Sequence, residues 1–167
     1  MTVRPFLLWP DHRLRAAALP VADITDVVHG IWADMIDTME AMPGYGLAAP
    51  QIGIGLQLAV VDGSTERGQA IRMANPQILH ASAIRRSQEE ASPNLPLVSA
   101  AIERPRAVTV RFLNTLGVID ERDFVHLWAT SVQHQIDHLN GRLYFDHLSP
   151  LKRGMLIARS QKLGKRG

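Results

Sequence analysis

The stretch Gln133–Gly141, QHQIDHLNG, sets His134 and His138 four residues apart in a segment that reads as helix. One helical turn apart, the two imidazoles project from the same face and can share a metal ion. In the zinc-hydrolase pattern H-E-x-x-H the second position is a glutamate that acts as base. Here that position is Gln135. On spacing alone, two half-buried helix histidines are the competing reading.

Working outward, Asp123 can cap a helix through DFVHLWATSVQHQIDHLNG, with Gly141 as its stop. Phe124 and Trp128 are then expected on its buried face. His126, two turns before His134, reads as a structural histidine or as a group near the site. Downstream, Ser149-Pro150 is a cap followed by a first-turn proline for a last helix, Leu151 to Leu163. Upstream, AVTVRFL (107–113) alternates like a strand and turns through NTLG into VID. RMANPQIL (72–79) is a strand with Pro76 at an edge or bend, and LQLAVVD (56–62) is another. GYGLAAPQIGIG (44–55) is irregular backbone. Residues 23–42 place Ile24, Val27, Val28, Ile31, Met35 and Met39 at helical spacing, with Asp23 as N-cap and Pro43-Gly44 as stop. Trp32, Met35 and Met39 are expected core residues. The order is helix, several strands, helix, basic helix, an α+β fold in one domain.

Composition supports that reading. The 167 residues are 46% hydrophobic and 20% charged, enough for a packed core and unlike a disordered chain. The absence of cysteine excludes disulfides, a thiolate nucleophile, an iron–sulfur cluster and any Cys-containing zinc site. No apolar run approaches the roughly 18–20 residues of a membrane span, and Phe6–Trp9 is too short for a signal-peptide core. A cytoplasmic chain with no membrane or DNA partner is expected. Charge is uneven: the last acid is Asp146, beyond which lie six bases, whereas twelve bases and sixteen acids stand at or before it. That divides the chain into a mildly acidic body, 1–148, and a basic C-terminal helix or tail of the same domain, 149–167. The tail is expected to contact an anionic partner such as ribosomal RNA. A solvated helix end is the other reading.

Three motifs stand in a fixed order: GLAAPQIG (46–53), EEASPNLP (89–96) and QHQIDHLNGRLYFDHLS (133–149). With PDHRLRAAALPV (10–21) and Asn75-Pro76, they make nearly the whole chain resemble the peptide deformylase family. The resemblance implies an α+β fold of small sheets around a helix that carries both histidines. It implies removal of the formyl group from N-formylmethionine at the start of new proteins. The family's metal is Fe²⁺, often replaced by Zn²⁺ or Ni²⁺, held by two histidines and a cysteine. By the same resemblance His134 and His138 are metal ligands and Gln51 is the oxyanion donor. Gly46, Gln51 and Arg104 are the substrate-binding candidates, Arg104 reading equally as a structural ion pair. Glu90 is expected to hold the ligand strand, and Asp137 to support structure.

Four positions depart from the family. Its E-G-C-L-S segment falls on Glu90-Ala91-Ser92-Pro93-Asn94. Ser92 replaces the cysteine ligand and stays a protonated alcohol near neutral pH. Pro93 replaces the residue that donates a backbone N–H, and proline has none. Ala91 replaces the flexible glycine. Gln135 replaces the glutamate that moves the proton. An engineered trap would not need Ala91, Pro93 and Asn94, so the changes read as natural. The expected outcome is a divergent deformylase-like protein with weak metal binding and little or no activity, still binding peptide N-termini. The alternative is an active metal-dependent amide hydrolase with Ser92, Asn94 or Glu90 as an oxygen ligand.

Overall fold

The computed structural model describes residues 2–166. Three α-helices are present: α1 (Asp26–Ala41), α2 (His126–Leu139) and α3 (Pro150–Arg166). The strands are β1 (Gly46–Ala48), β2 (Leu58–Val61), β3 (Ile71–Ala81), β4 (Arg85–Ser92), β5 (Leu95–Pro105), β6 (Ala107–Leu113) and β7 (Ile119–Val125). Five strands form one antiparallel sheet in the order β1-β2-β3-β6-β7, and β4 and β5 form a separate hairpin. The α+β expectation holds.

All four residues of β2 are buried, because α1 and α2 both pack against this strand. α1 contributes Val28, Trp32, Met35 and Met39 to the core, as their helical spacing requires. Trp32 is fully buried, and its indole N–H donates to the Met73 carbonyl at 3.2 Å. α2 lays Ala129, Val132 and Ile136 against Met73, Val110 and Phe112 of the sheet.

Several boundaries differ from the sequence expectation. α1 begins at Asp26, and Thr25 rather than Asp23 caps it by accepting from the Val28 N–H. α2 begins at His126, so Asp123 is not its cap. Asp123 lies on β7, where its carboxylate accepts from the Thr109 hydroxyl across the strand pair. Phe124 belongs to β7 as well, where it stacks on Trp128 and shares a buried cluster with Ala129, Val132 and Ile136 of α2. Cross-strand pairing with β6 continues to Val125 and overrides the cap signal. Pro76 sits where the β3–β6 register shifts, between Ala74 and Gln77. A proline that cannot donate to the ladder is accommodated there. The β4–β5 hairpin did not announce itself, since most of β4 is not fully buried and no hydrophobic alternation marks it.

α2 ends where Gly141 takes a left-handed φ of 73°. A Cβ there would collide with the Arg15 carbonyl oxygen, so only glycine fits. This stop fixes the direction in which the chain leaves the histidine helix. α3 packs on β5, and Ser160 donates to the Pro96 carbonyl at 2.6 Å.

Candidate active site

α2 runs between the sheet and the β4–β5 hairpin, so its polar face meets the hairpin end. His134 Nδ1 lies 2.8 Å from Glu90 Oε1 on β4. That carboxylate accepts the Nδ1 proton and leaves the lone pair on Nε2. His134 Nε2 and His138 Nε2 face each other at 3.1 Å. Two ligands of one tetrahedral cation at ordinary metal–nitrogen lengths stand about 3.3 Å apart, so the pair fits a divalent metal. Among the described residues no group of three His, Cys, Asp or Glu completes a site. Of the three expected oxygen ligands, Glu90 is committed to His134 Nδ1 and Arg104, and Asn94 Oδ1 to Gln51 and Ser92, which leaves the Ser92 hydroxyl, a neutral donor.

His138 is 1% exposed, and burial, with His134 beside it, holds its pKa well below the usual 6.5. Tyr144 stacks on His134 with ring centres 5.9 Å apart. Burial, together with Glu90 and Glu89, pushes its hydroxyl up to about 12. Neither Tyr144 nor the Glu90 contact to His134 was legible in the spacing.

The hairpin turn Pro93-Asn94 closes between the paired residues Ser92 and Leu95. Proline's fixed φ suits this corner, and no ladder bond is lost there. Asn94, expected above only as an alternative oxygen ligand, is fully buried. Its Oδ1 accepts from Gln51 Nε2 at 2.8 Å and from the Ser92 hydroxyl at 2.9 Å. Its Nδ2 donates to the carbonyls of Leu7 and Gln51. Gln51 Oε1 accepts from the Ala48 N–H, so the Gln51 amide is fixed at both ends. Its grip on Gln51 and Leu7 had no local sequence signal, because those partners lie 43 and 87 residues away.

Gly46, Gln51, Ser92, His134 and Gln135 line one cavity of about 480 Å³. Met42, Leu97, Val98 and Leu127 make much of the remaining wall apolar. Gln135 lies over Gly46, where a Cβ would meet its Nε2 at 2.7 Å. Its Oε1 is buried without a hydrogen-bond partner. His138 stands behind His134 and does not line the cavity.

Arg104 does not line it either; it makes the structural ion pair that was its other expected reading. Its side chain is 5% exposed and forks onto Glu90 at 2.7 and 3.0 Å, with Nη1 on Asp137 at 2.9 Å. Two carboxylates hold it inside the fold, away from the cavity. Asp137 also accepts from His147 at 2.8 Å. His126 is exposed at the start of α2 and faces other cavities than this one.

These buried groups predict acid sensitivity. Burial by itself raises the carboxyl pKa values of Glu90 and Asp137. Hydrogen bonds from His134 and Arg104 to Glu90, and from His147 and Arg104 to Asp137, outweigh it and hold both below the ordinary range. Depressed pKa values mean that the unfolded chain binds protons first, so stability is lost as pH falls. The loss begins below about pH 6.5, where unfolding lets His138 charge, and deepens below about pH 4.5 through the carboxylates. Urea unfolding followed by tryptophan fluorescence from about pH 8 to 3 reads both phases, and His138→Gln should remove the first. Constant stability from pH 8 to 5 in the native chain would contradict this.

A model of the family described as "Polypeptide deformylase" matches residues 3–154. A peptide deformylase of Rhodopseudomonas palustris is 39% identical over 171 residues, covering 100% of this chain and 98% of that protein. The crystal structure of a peptide deformylase from Legionella pneumophila superposes with a TM-score of 0.90 at 37% identity, covering 99% of each chain. That of the Ehrlichia chaffeensis enzyme in complex with actinonin gives 0.91 at 28%, covering 97% of this chain and 98% of that one.

Proposed function

The chain belongs to the polypeptide deformylase family, and on that premise we propose that it binds the N-terminus of a formylmethionyl peptide and hydrolyses the formyl amide slowly. The observation that carries this reading is one wall of one cavity, where Gln51, Ser92, His134 and Gln135 converge beside an apolar mouth. An unbranched apolar side chain such as methionine suits that mouth. Near-full coverage of relatives at 39% identity supports retained deformylase chemistry over a binding role alone.

His134 and His138 would hold a divalent cation such as Fe²⁺ or Zn²⁺, with Ser92 as a neutral third donor. Such a cation polarises the formyl carbonyl and makes water more acidic. Without a thiolate the affinity for the cation falls. Gln51 Nε2 is the remaining oxyanion donor, and Asn94 Oδ1 competes for it. Pro93 offers no N–H. Gln135 accepts a hydrogen bond from the amide N–H or the product amine but carries no proton. General acid–base catalysis typically supplies about 10²–10⁴-fold, and one oxyanion donor about 10²–10³-fold.

The test is formate release from a formyl-Met peptide after anaerobic loading with Fe²⁺, Ni²⁺ or Zn²⁺, beside the Rhodopseudomonas palustris relative. Metal-dependent release at least about 10²-fold slower than the relative is expected. Equal rates would overturn the assignment of proton transfer to position 135. Neither peptide binding nor formate release would overturn the function. The α3 bases Lys152, Lys162 and Lys165 are exposed. An rRNA contact through them belongs to the same proposal and is read by ribosome co-sedimentation with and without residues 150–167.

A further inference from the structure

Asn94 stands behind the peptide cavity without lining it. Both protons of its Nδ2 go to carbonyl oxygens, that of Leu7 at 2.6 Å and that of Gln51 at 3.2 Å. A carbonyl only accepts, so the Asn94 amide has one sense, with Oδ1 towards Gln51 and Ser92. The backbone closes the same ring. The Leu7 N–H donates to the Gln51 carbonyl at 2.9 Å, and the Trp9 N–H to the Asn94 carbonyl at 2.8 Å. The segment that supplies these contacts is tied in turn to α1, where the Arg4 N–H donates to Thr38 Oγ1 at 2.9 Å and the Arg4 side chain pairs with Asp34.

The Gln51 amide also has one sense, because its Oε1 takes the Ala48 N–H at 2.9 Å. Its Nε2 carries two protons. Asn94 Oδ1 lies 2.8 Å from that nitrogen and Ser92 Oγ 3.5 Å, while the two oxygens are 2.9 Å apart. This triangle sets both acceptors on one side of Nε2, closer in angle than the two N–H bonds of a planar amide. They share one proton. Among the described residues no other acceptor meets Nε2. Asn94 therefore competes for one proton of two. The serine that the family pattern places here has a single proton, and could not serve both carbonyls and hold Gln51 as well.

With Pro93 offering no N–H, the aim of Gln51 decides how much oxyanion stabilisation is left. A donor already held in place needs no reorganisation when charge develops. Misplacement by about 1 Å can cost about 10²-fold. We propose that Asn94 is a positioning residue for Gln51: it takes one Nε2 proton, so that the other is presented to the formyl oxygen, and it anchors this arrangement on Leu7 and Trp9. The turn that lacks a donor at 93 thus supplies at 94 the group that aims the remaining one. The effect of Asn94 on rate rests on the deformylase reading above, whereas its hold on Gln51 does not.

Side-chain amide exchange followed by NMR reads that hold directly. In the native chain the Gln51 amide should exchange with solvent at least about tenfold more slowly than that of Gln161, which is exposed on α3. Asn94→Ser should remove most of the difference. Formate release reads the consequence. Asn94→Ser should lower kcat about tenfold at nearly unchanged KM, because an oxyanion donor acts in the transition state. In a Gln51→Ala background the same substitution should cost less than about twofold, because no donor is left to position. Equal losses with and without Gln51 would make Asn94 a merely structural residue and overturn the proposal. So would a Gln51 amide that Asn94→Ser leaves unchanged, or one that exchanges in the native chain as fast as Gln161, a result that needs no variant to fold. A native chain that releases no formate overturns the deformylase reading and the effect on rate with it, and exchange at Gln51 still decides the hold.

Discussion

A Ser92→Cys, Pro93→Leu, Gln135→Glu variant, loaded anaerobically with Fe²⁺, is expected to release formate from a formyl-Met peptide about 10²–10⁴-fold faster than the native chain. Each change restores one physical element. Gln135→Glu supplies a carboxylate where the native side chain presents a buried amide oxygen without a partner. Burial there raises a carboxyl pKa towards neutrality, which suits a proton carrier. Ser92→Cys supplies an anionic third ligand beside His134 and His138. It also removes the Ser92 hydroxyl that donates to Asn94 at 2.9 Å. Pro93→Leu returns a backbone N–H to the hairpin turn. The three parts act as a unit, so their separate factors do not simply multiply, and the lower range is the safer expectation. Single variants should each gain far less than the triple. Metal content by mass spectrometry accompanies the assay. A triple variant that binds metal yet is no faster than the native chain would show that position 135 is not where the proton moves.

Replacing Arg104 with Met should destabilise the fold by about 3–5 kcal/mol, the usual consequence of removing one partner from a buried ion network. Arg104 and Glu90 have side chains 5% and 4% exposed. Without the guanidinium, Glu90 keeps its His134 contact and Asp137 its His147 contact, and neither keeps an arginine. For a domain of this size, about 6–20 °C of melting temperature is at stake. A drop under about 2 °C would contradict the network's assigned role. Arg104→Lys keeps the charge but not the fork onto two carboxylates, so it should recover only part of the loss. Below the melting range, formyl-Met peptide affinity should change little, because Arg104 lies off the cavity wall.

Much of the fold was legible because helical spacing is written in consecutive residues. α1, α2 and α3 carry their apolar periodicity and stops in the chain itself, and Gly141 ends α2 where expected. β2 shows the apolar run of a fully buried strand, and β6 the alternation of a half-buried one. The β4–β5 hairpin shows none, since its polar outer residues face solvent. Asp123 carried a valid cap signal that pairing across β6 and β7 outweighed.

The candidate site divides the same way. His134, His138, Gln51 and the departures at Ser92, Pro93 and Gln135 were readable from residue types and order. That Arg104 lies off the cavity wall and that Asn94 holds Gln51 were not. By itself, the sequence determined which residues can do chemistry and which segments are helical, because both depend on neighbours a few positions away. Only the tertiary structure decided which of those residues meet. The Asn94–Leu7, Glu90–His134 and Arg104–Asp137 contacts join positions 87, 44 and 33 residues apart. Their partners are selected by how the hairpin packs on α2, and no local periodicity records that packing.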